Sequence, residues 1–378
     1  MGFADWLGTV RGHYERHPYP HYPLLATVPR RDTYALNLQA IWSACNGTWL
    51  PPTAGRILLA GCGAFAPYPL RLANPAATID AVDLAEANLQ RARLHCRIHR
   101  CGGVRFSQGS FLEQDQVPGP YHFIDAFGVL HHLDEPLAGF RALEQRLAPG
   151  GILRVMVYGH YARQEAESIR RACRLLGITD VPTLKRLLRR APKGSRIRDY
   201  LEASWESRTD TGLADLFLHP CVHTYRIDEF LALIGQTGLK PLRFTHTGAL
   251  ADPDAEIERL RELDRRRATL TNIICYLGRE TLGPAELADG ATLRLNPMLA
   301  GEVSPLRLRP VRPMNRLGQE NPVIDVDCRR FLRRFRQPLA VSALSSAERL
   351  TAERYLAAWY LLATKTPPLA PPLSGGMT

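Results

Sequence analysis

An α/β fold built on a doubly wound sheet is predicted by three observations on the sequence. Short apolar runs alternate with stretches of helical periodicity from Arg56 to Leu277. The first run, Arg56-Ile57-Leu58-Leu59-Ala60, breaks into Gly61-Cys62-Gly63, and two glycines let a backbone turn sharply beneath a ligand. A second run, Ile79-Asp80-Ala81-Val82, ends on Asp83, where a carboxylate downstream of such a turn can hold a pair of ribose hydroxyls. Together these define a nucleotide site at the C-terminal ends of parallel strands.

The elements follow in order. Residues 11–29 are crowded with Tyr, His and Pro, which suits an N-terminal arm folding over a pocket or a plain surface wrap. A helix is expected from Thr33 to Asn46, with Leu36, Ala40 and Ile41 on one side. After the glycine turn come a helix at Pro67–Ala73, the strand ending at Asp83, and a helix from Ala85 to Arg100 with Leu89, Ala92 and Cys96 at helical spacing. Val104–Ser107 and Phe123–Phe127 read as the third and fourth strands. Asp134 is placed to cap a helix with Pro136 in its first turn. Leu137, Phe140, Leu143 and Leu147 share its face until Pro149-Gly150-Gly151 stops it, and Ile152–Tyr158 is the fifth strand. Residues 160–235 are expected to form a mainly helical insertion covering the substrate, with a basic amphipathic piece at Thr183–Arg190 and Leu216-Phe217-Leu218-His219-Pro220 in a loop before a helix at Ile227–Gly235. Leu239–Thr245 and Thr271–Leu277, joined by a charged helix at Asp254–Arg267, complete seven strands.

Four segments are therefore expected: an arm and covering helix at 1–50, the main domain at 51–284, an accessory domain at 285–366, and a disordered tail at 367–378. The accessory domain reads as small and mainly helical. Ser345 or Ser346 caps a helix carrying Leu350, Tyr355, Leu356, Trp359 and Leu362, and the domain shapes substrate access or pairs two subunits as a homodimer.

Composition narrows the class. The net charge of +11 is concentrated in arginines at 185–198 and 307–336, which serve either an acidic partner or solvated helix faces. Nucleic acid is not favoured, because aromatic residues do not interleave with these arginines. The eight scattered cysteines form no Cys-x-x-Cys pair, and no run approaches 18 apolar residues, so a cytoplasmic chain with reduced thiols and no membrane partner is expected. His95, Cys96, His99 and Cys101 lack a four-ligand geometry on one helix, so no metal is assigned. The serines form no nucleophile elbow, which argues against hydrolysis.

Phe127-Gly128-Val129-Leu130-His131-His132-Leu133 follows the fourth strand, and Pro149-Gly150-Gly151 precedes the fifth. With Leu59-Ala60-Gly61-Cys62-Gly63 and Leu216–Pro220, this ensemble resembles the class I S-adenosylmethionine-dependent methyltransferases, and within them a bacterial subgroup often found beside tetratricopeptide repeats. The resemblance covers about residues 10–280. It implies a Rossmann-like seven-stranded sheet. It further implies Gly61, Cys62 and Gly63 beneath the methionine part of S-adenosyl-L-methionine, Asp83 on the ribose and Leu84 on the adenine. Ser110, beside Phe111, stands where the family commonly has an acidic residue near the adenine amine, and Phe127 and Gly128 line the channel to the acceptor. Leu59 and Phe65 depart from the class pattern, which has an acidic residue and a glycine there.

Methyl transfer is an in-line displacement needing alignment and, for a hydroxyl or ammonium acceptor, removal of a proton. His131 and His132 stand where that base is needed, or else serve as structural hydrogen-bonding residues. Tyr14 and Tyr19 of the arm are rival catalytic candidates, and Tyr14, His17, Tyr19, Tyr158 and His219 are candidate substrate contacts. The activity implied is methylation of an O or N nucleophile of a small molecule or peptide side chain, releasing S-adenosyl-L-homocysteine. An NAD(P)-dependent oxidoreductase, an RNA methyltransferase and a catalytically silent cofactor-binding module are the alternatives.

Overall fold

The computed structural model describes residues 3–51, 55–113 and 117–365, so the tail expected at 367–378 lies outside the described residues. The chain opens with α1 (Phe3–Arg16), an irregular arm, a 3-10 turn at Arg30–Leu36, and α2 (Leu38–Asn46). The single helix expected at Thr33–Asn46 is thus broken at Asn37. This residue is extended (φ −74°, ψ 122°), and its side chain accepts from the Ala40 amide to start a new helix.

The expected alternation then unfolds as β1 (Arg56–Ala60), α3 (Pro67–Ala73), β2 (Thr78–Asp83), α4 (Glu86–Ile98), β3 (Val104–Gln108), β4 (Tyr121–Phe127), α5 (Pro136–Glu144) and β5 (Leu147–Gly159). Two local expectations fail here. Glu135, not Asp134, holds the cap position of α5, and it makes no side-chain cap bond. Leu147 and Pro149-Gly150-Gly151 lie inside β5, because the strand begins pairing at Leu147 with Tyr121 and absorbs the proline and glycines in a register shift before Ile152 meets Phe123.

The insertion contains α6 (Gln164–Leu175), α7 (Val181–Arg189), α8 (Arg196–Ala203) and α9 (Asp210–Leu218), followed by β6 (Thr224–Tyr225) and α10 (Ile227–Ile234). Leu216, Phe217 and Leu218, expected in a loop, form the last turn of α9, where Leu216 and Phe217 are buried against α6 and α7. β7 (Lys240–Phe244), α11 (Pro253–Arg265) and β8 (Ile273–Gly278) close the sheet in the order β3-β2-β1-β4-β5-β8-β7, with β6 attached to β5. The sheet is mixed, since β8 runs antiparallel to both neighbours. Its two faces carry separate cores. One gathers Leu58, Ala60, Ile124 and Val155 with Trp6 and Val10 of α1, and the other gathers Ile57, Leu59, Phe123 and Tyr276 with Ile41 of α2 and Leu362.

The C-terminal region is not mainly helical. It holds β9 (Thr292–Leu295), α12 (Val326–Arg333), β10 (Leu339–Ala340), α13 (Ser346–Ala357) and β11 (Leu361–Thr364), with β9 at the centre of an antiparallel three-stranded sheet. Ser345 caps α13 in a reciprocal capping box with Glu348, as expected. The helix stops at Ala357, however, and Leu362 falls in β11, whose buried residues are needed on β9. Among the described residues no helix is long and apolar enough to cross a membrane.

Candidate active site

The turn after β1 is built by backbone chemistry. Gly61 and Gly63 have φ of +71° and +57°, a region costly for residues with a Cβ. Both are also crowded: a Cβ on Gly61 would lie 2.7 Å from the Val129 side chain, and one on Gly63 would lie 2.8 Å from the Tyr19 carbonyl oxygen. The amides of Gly61 and Cys62 both donate to the Val82 carbonyl, tying the turn to β2. The Cys62 thiol is buried, and burial drives its pKa well above the ordinary thiol range, so it is a small packing group.

Asp83 braces this turn from the end of β2. Its carboxylate accepts from the Gly63 amide (2.8 Å), the Ala85 amide (3.0 Å) and the Asn88 side chain (3.0 Å). Burial raises its pKa, while these hydrogen bonds pull the other way. A carboxylate has about four acceptor positions, so one remains for a ligand hydroxyl. Leu84 packs partly buried beside it. Ser110 accepts from the Leu112 amide at 3.2 Å, closing its own turn, and Phe111 is buried in the core. Phe127 ends β4 with its ring 43% exposed and the Arg154 guanidinium 4.8 Å above it. Gly128 follows at φ +80°.

The arm is strapped over this edge. Glu15 accepts from the Glu86 and Ala87 amides, filling the N-terminus of α4 with a carboxylate. Tyr19 donates its amide to Asn88 and accepts from the Ala64 amide with its carbonyl. Phe65 enters an aromatic cluster, with its ring centroid 4.2 Å from Tyr22 and 5.0 Å from His95. The large ring at a usually bare position is thus the anchor of the arm. His95 and His99 face the Ala26 and Leu24 carbonyls, so these histidines hold the arm as well.

Beyond Tyr14 lies a second, buried cluster. The Tyr14 hydroxyl donates to Asp215 Oδ1 (3.0 Å) and the Tyr158 hydroxyl to Asp215 Oδ2 (3.3 Å). The His131 ring lies 3.8 Å from Tyr158, and the His132 ring 3.8 Å from His219. The Tyr19 hydroxyl donates to Glu206, which also pairs with Arg163 at 2.8 Å, and Arg163 lies 3.8 Å over the Tyr158 ring. Tyr19 joins the two regions, since its carbonyl accepts from the Ala64 amide while its hydroxyl donates to Glu206, and burial first, then Asp215, raises the Tyr14 phenol pKa.

Tyr14, His131, His132, Tyr158 and His219 therefore meet in one place. His17 does not join them: it is partly exposed and packs on His13, 5.4 Å between centroids. Burial lowers the His132 pKa to about 3 and drives His131 and His219 well below the ordinary value, leaving neutral rings reluctant to take a proton. That environment weighs against His131 and His132 as proton acceptors. Asp215, by contrast, is raised to about 6 by burial. Asp215, Glu206, Arg163 and His13 escape sequence reasoning. Only Asp215 left a signal, as a carboxylate within the apolar stretch Leu213–Leu218.

Residues 58–153, β1 through most of β5, match the protein family described as a methyltransferase domain. This stretch of the chain therefore carries a methyltransferase domain. Its relatives include an uncharacterized protein of Synechococcus sp., 31% identical over 248 residues that span 62% of this chain and 59% of that protein. They also include the malonyl-[acyl-carrier protein] O-methyltransferase of Halalkalibacterium halodurans, 28% identical over 43% of this chain and 58% of that one. The chain thus spans less than two thirds of the length of these two relatives. The structure of PKMT2 from Rickettsia typhi shares the fold, with a TM-score of 0.55 at 15% identity over 93% of this chain and 79% of that one; that protein is also known in complex with AdoHcy.

Proposed function

We propose that this chain transfers a methyl group from S-adenosyl-L-methionine to an O or N nucleophile of a small molecule or peptide side chain, releasing S-adenosyl-L-homocysteine. The observation that carries this reading is the Gly61–Gly63 turn braced by Asp83 and linked to a buried polar cluster through Tyr19, whose carbonyl accepts from the Ala64 amide and whose hydroxyl donates to Glu206. The site residues fit the cofactor. Positive-φ glycines leave bare backbone at the end of β1, and the one acceptor position left on Asp83 suits a ribose hydroxyl. Gly61, Cys62 and Gly63 would pass beneath the methionine part, Leu84 and Phe111 would flank the adenine, and Phe127 and Gly128 would border the channel. The cofactor supplies an electrophilic methyl on a sulfonium. The chain orients the acceptor through Tyr14, Tyr158 and Tyr19 and excludes water with the arm and insertion.

Oxygen is the favoured acceptor atom, supported by similarity to an O-methyltransferase. Titration calorimetry with S-adenosyl-L-methionine and S-adenosyl-L-homocysteine, followed by tracing labelled methyl into a fractionated cell extract, tests the reading. Stoichiometric binding and a labelled product are expected. Binding of reduced nicotinamide cofactor with none of S-adenosyl-L-methionine would overturn it, and binding without any labelled product would leave a silent module instead.

A further inference from the structure

The methyl-transfer reading gives no role to His132, Asp215 or His219 of the buried cluster. One ligand atom each from His132, Asp215 and His219 lies within 4.8 Å of the others, and all three residues are buried. His132 Nδ1 faces the Cys221 carbonyl at 2.9 Å, so it carries the proton and Nε2 keeps its lone pair. That outer hydrogen bond is the one metal-bound imidazoles make. His219 Nε2 is buried without a hydrogen-bond partner, as is His13 Nε2 on the adjoining ring. The two tyrosine hydroxyls hold the Asp215 carboxylate in place. The neighbouring arginines are already paired, Arg163 with Glu206 and Arg170 with Glu167, so the formal charge of the cluster is the single negative of Asp215.

We propose that His132, His219 and Asp215 bind one divalent transition-metal cation of the zinc type, between α1 and the insertion. Two histidines and one carboxylate suit borderline divalent metals and leave coordination positions open for an acceptor oxygen. His219 Nδ1 accepts from the Cys221 amide at 3.2 Å, which keeps the proton on Nε2 in the metal-free chain. Binding through Nε2 moves that proton to Nδ1 and exchanges one long hydrogen bond for coordination. The histidine pair at 95 and 99 makes the contrast, since both rings already have carbonyl partners.

The test uses the full chain, reduced and stripped with a chelator, then titrated with Zn²⁺ by calorimetry and with Co²⁺ by visible absorption. One equivalent per chain is expected, with cobalt ligand-field bands and no thiolate charge-transfer band. His219→Ala and Asp215→Asn should each weaken Co²⁺ binding at least ~10-fold. Tyr158→Phe, which loosens the carboxylate, should weaken it roughly 10- to 100-fold, as for other outer partners of metal ligands. Lack of stoichiometric uptake by the unaltered chain, a thiolate band, or unchanged uptake in both ligand variants would overturn the site. Circular dichroism checks folding, and if a variant fails to fold, the stoichiometry and cobalt spectrum of the unaltered chain decide alone. Calorimetry with S-adenosyl-L-homocysteine is run separately, so failure of the metal site leaves the methyl-transfer reading standing.

Discussion

The glycine turn and the histidine cluster are bridged by Tyr19, yet they are held together in opposite ways. At the turn, backbone amides of Gly61, Cys62 and Gly63 meet the Val82 carbonyl and the Asp83 carboxylate. In the cluster, side chains from α1, β5, α9 and the Leu130–His132 turn converge. Asp215 is its fully buried carboxylate, and the Nε2 atoms of His13 and His219 are left without a hydrogen-bond partner. A nucleotide turn can be specified locally because its bonds close within one strand–helix–strand unit, Gly63 reaching Asp83 20 positions on. A cluster of buried polar groups exists only once distant elements have packed, and losing one member strands the rest.

The largest test of this contrast is Asp215→Ala. It leaves the Tyr14 and Tyr158 hydroxyls buried without an acceptor, at about 1–3 kcal/mol each, so unfolding in urea should show a loss of about 2–6 kcal/mol. A loss below ~1 kcal/mol would mean that solvent reaches the cluster.

Acid should act in the same direction. Burial lowers His13 to about 4 and His132 to about 3, so below the unfolded value near 6.5 the unfolded chain takes protons that the folded chain refuses. Stability is therefore full above about pH 6.5 and falls as pH drops toward the folded values, by about 1.4 kcal/mol per pH step per imidazole. Asp215, raised to about 6, works the other way, gaining stability as pH falls from about 6 toward the ordinary carboxylate range, and cancels roughly one imidazole. A net loss of about 2–4 kcal/mol between pH 7 and 5 is expected in urea titrations. A flat profile would refute buried neutral histidines.

At the glycine turn the effects are smaller and fall on binding. Asp83→Ala should weaken S-adenosyl-L-homocysteine binding by one charge-assisted hydrogen bond, about 1.5–3 kcal/mol, read by calorimetry. Unchanged affinity would show that the ribose is held elsewhere. Phe65→Ala removes the arm's aromatic anchor against Tyr22 and His95. About 1 kcal/mol of stability should go with the ring contacts, and limited proteolysis should cut more readily within residues 17–28. An unchanged cleavage rate would assign the anchoring to Glu15 and Asn88 instead.

Legibility in the sequence follows the same division. Strands β1 to β5, the glycine turn and Asp83 could be read because apolar periodicity and glycine placement are local signals. The break at Asn37, the passage of β5 through Pro149-Gly150-Gly151 and the antiparallel β8 could not, since each is settled by what the segment pairs with. Phe65 was visible as an oddity, but its partner Tyr22 lies on an arm whose path has no periodic signature.

By itself the sequence determined the class of sheet, the nucleotide turn and the acidic residue that braces it, because the apolar run, the glycines and the strand-ending carboxylate are each marked by a few consecutive residues. Only the tertiary structure decided that Tyr14 meets Asp215, 201 positions away, and that His132 and His219 stack beside them. The protonation state of those groups, and any cation they hold, depend on burial, and burial is a property of the assembled chain.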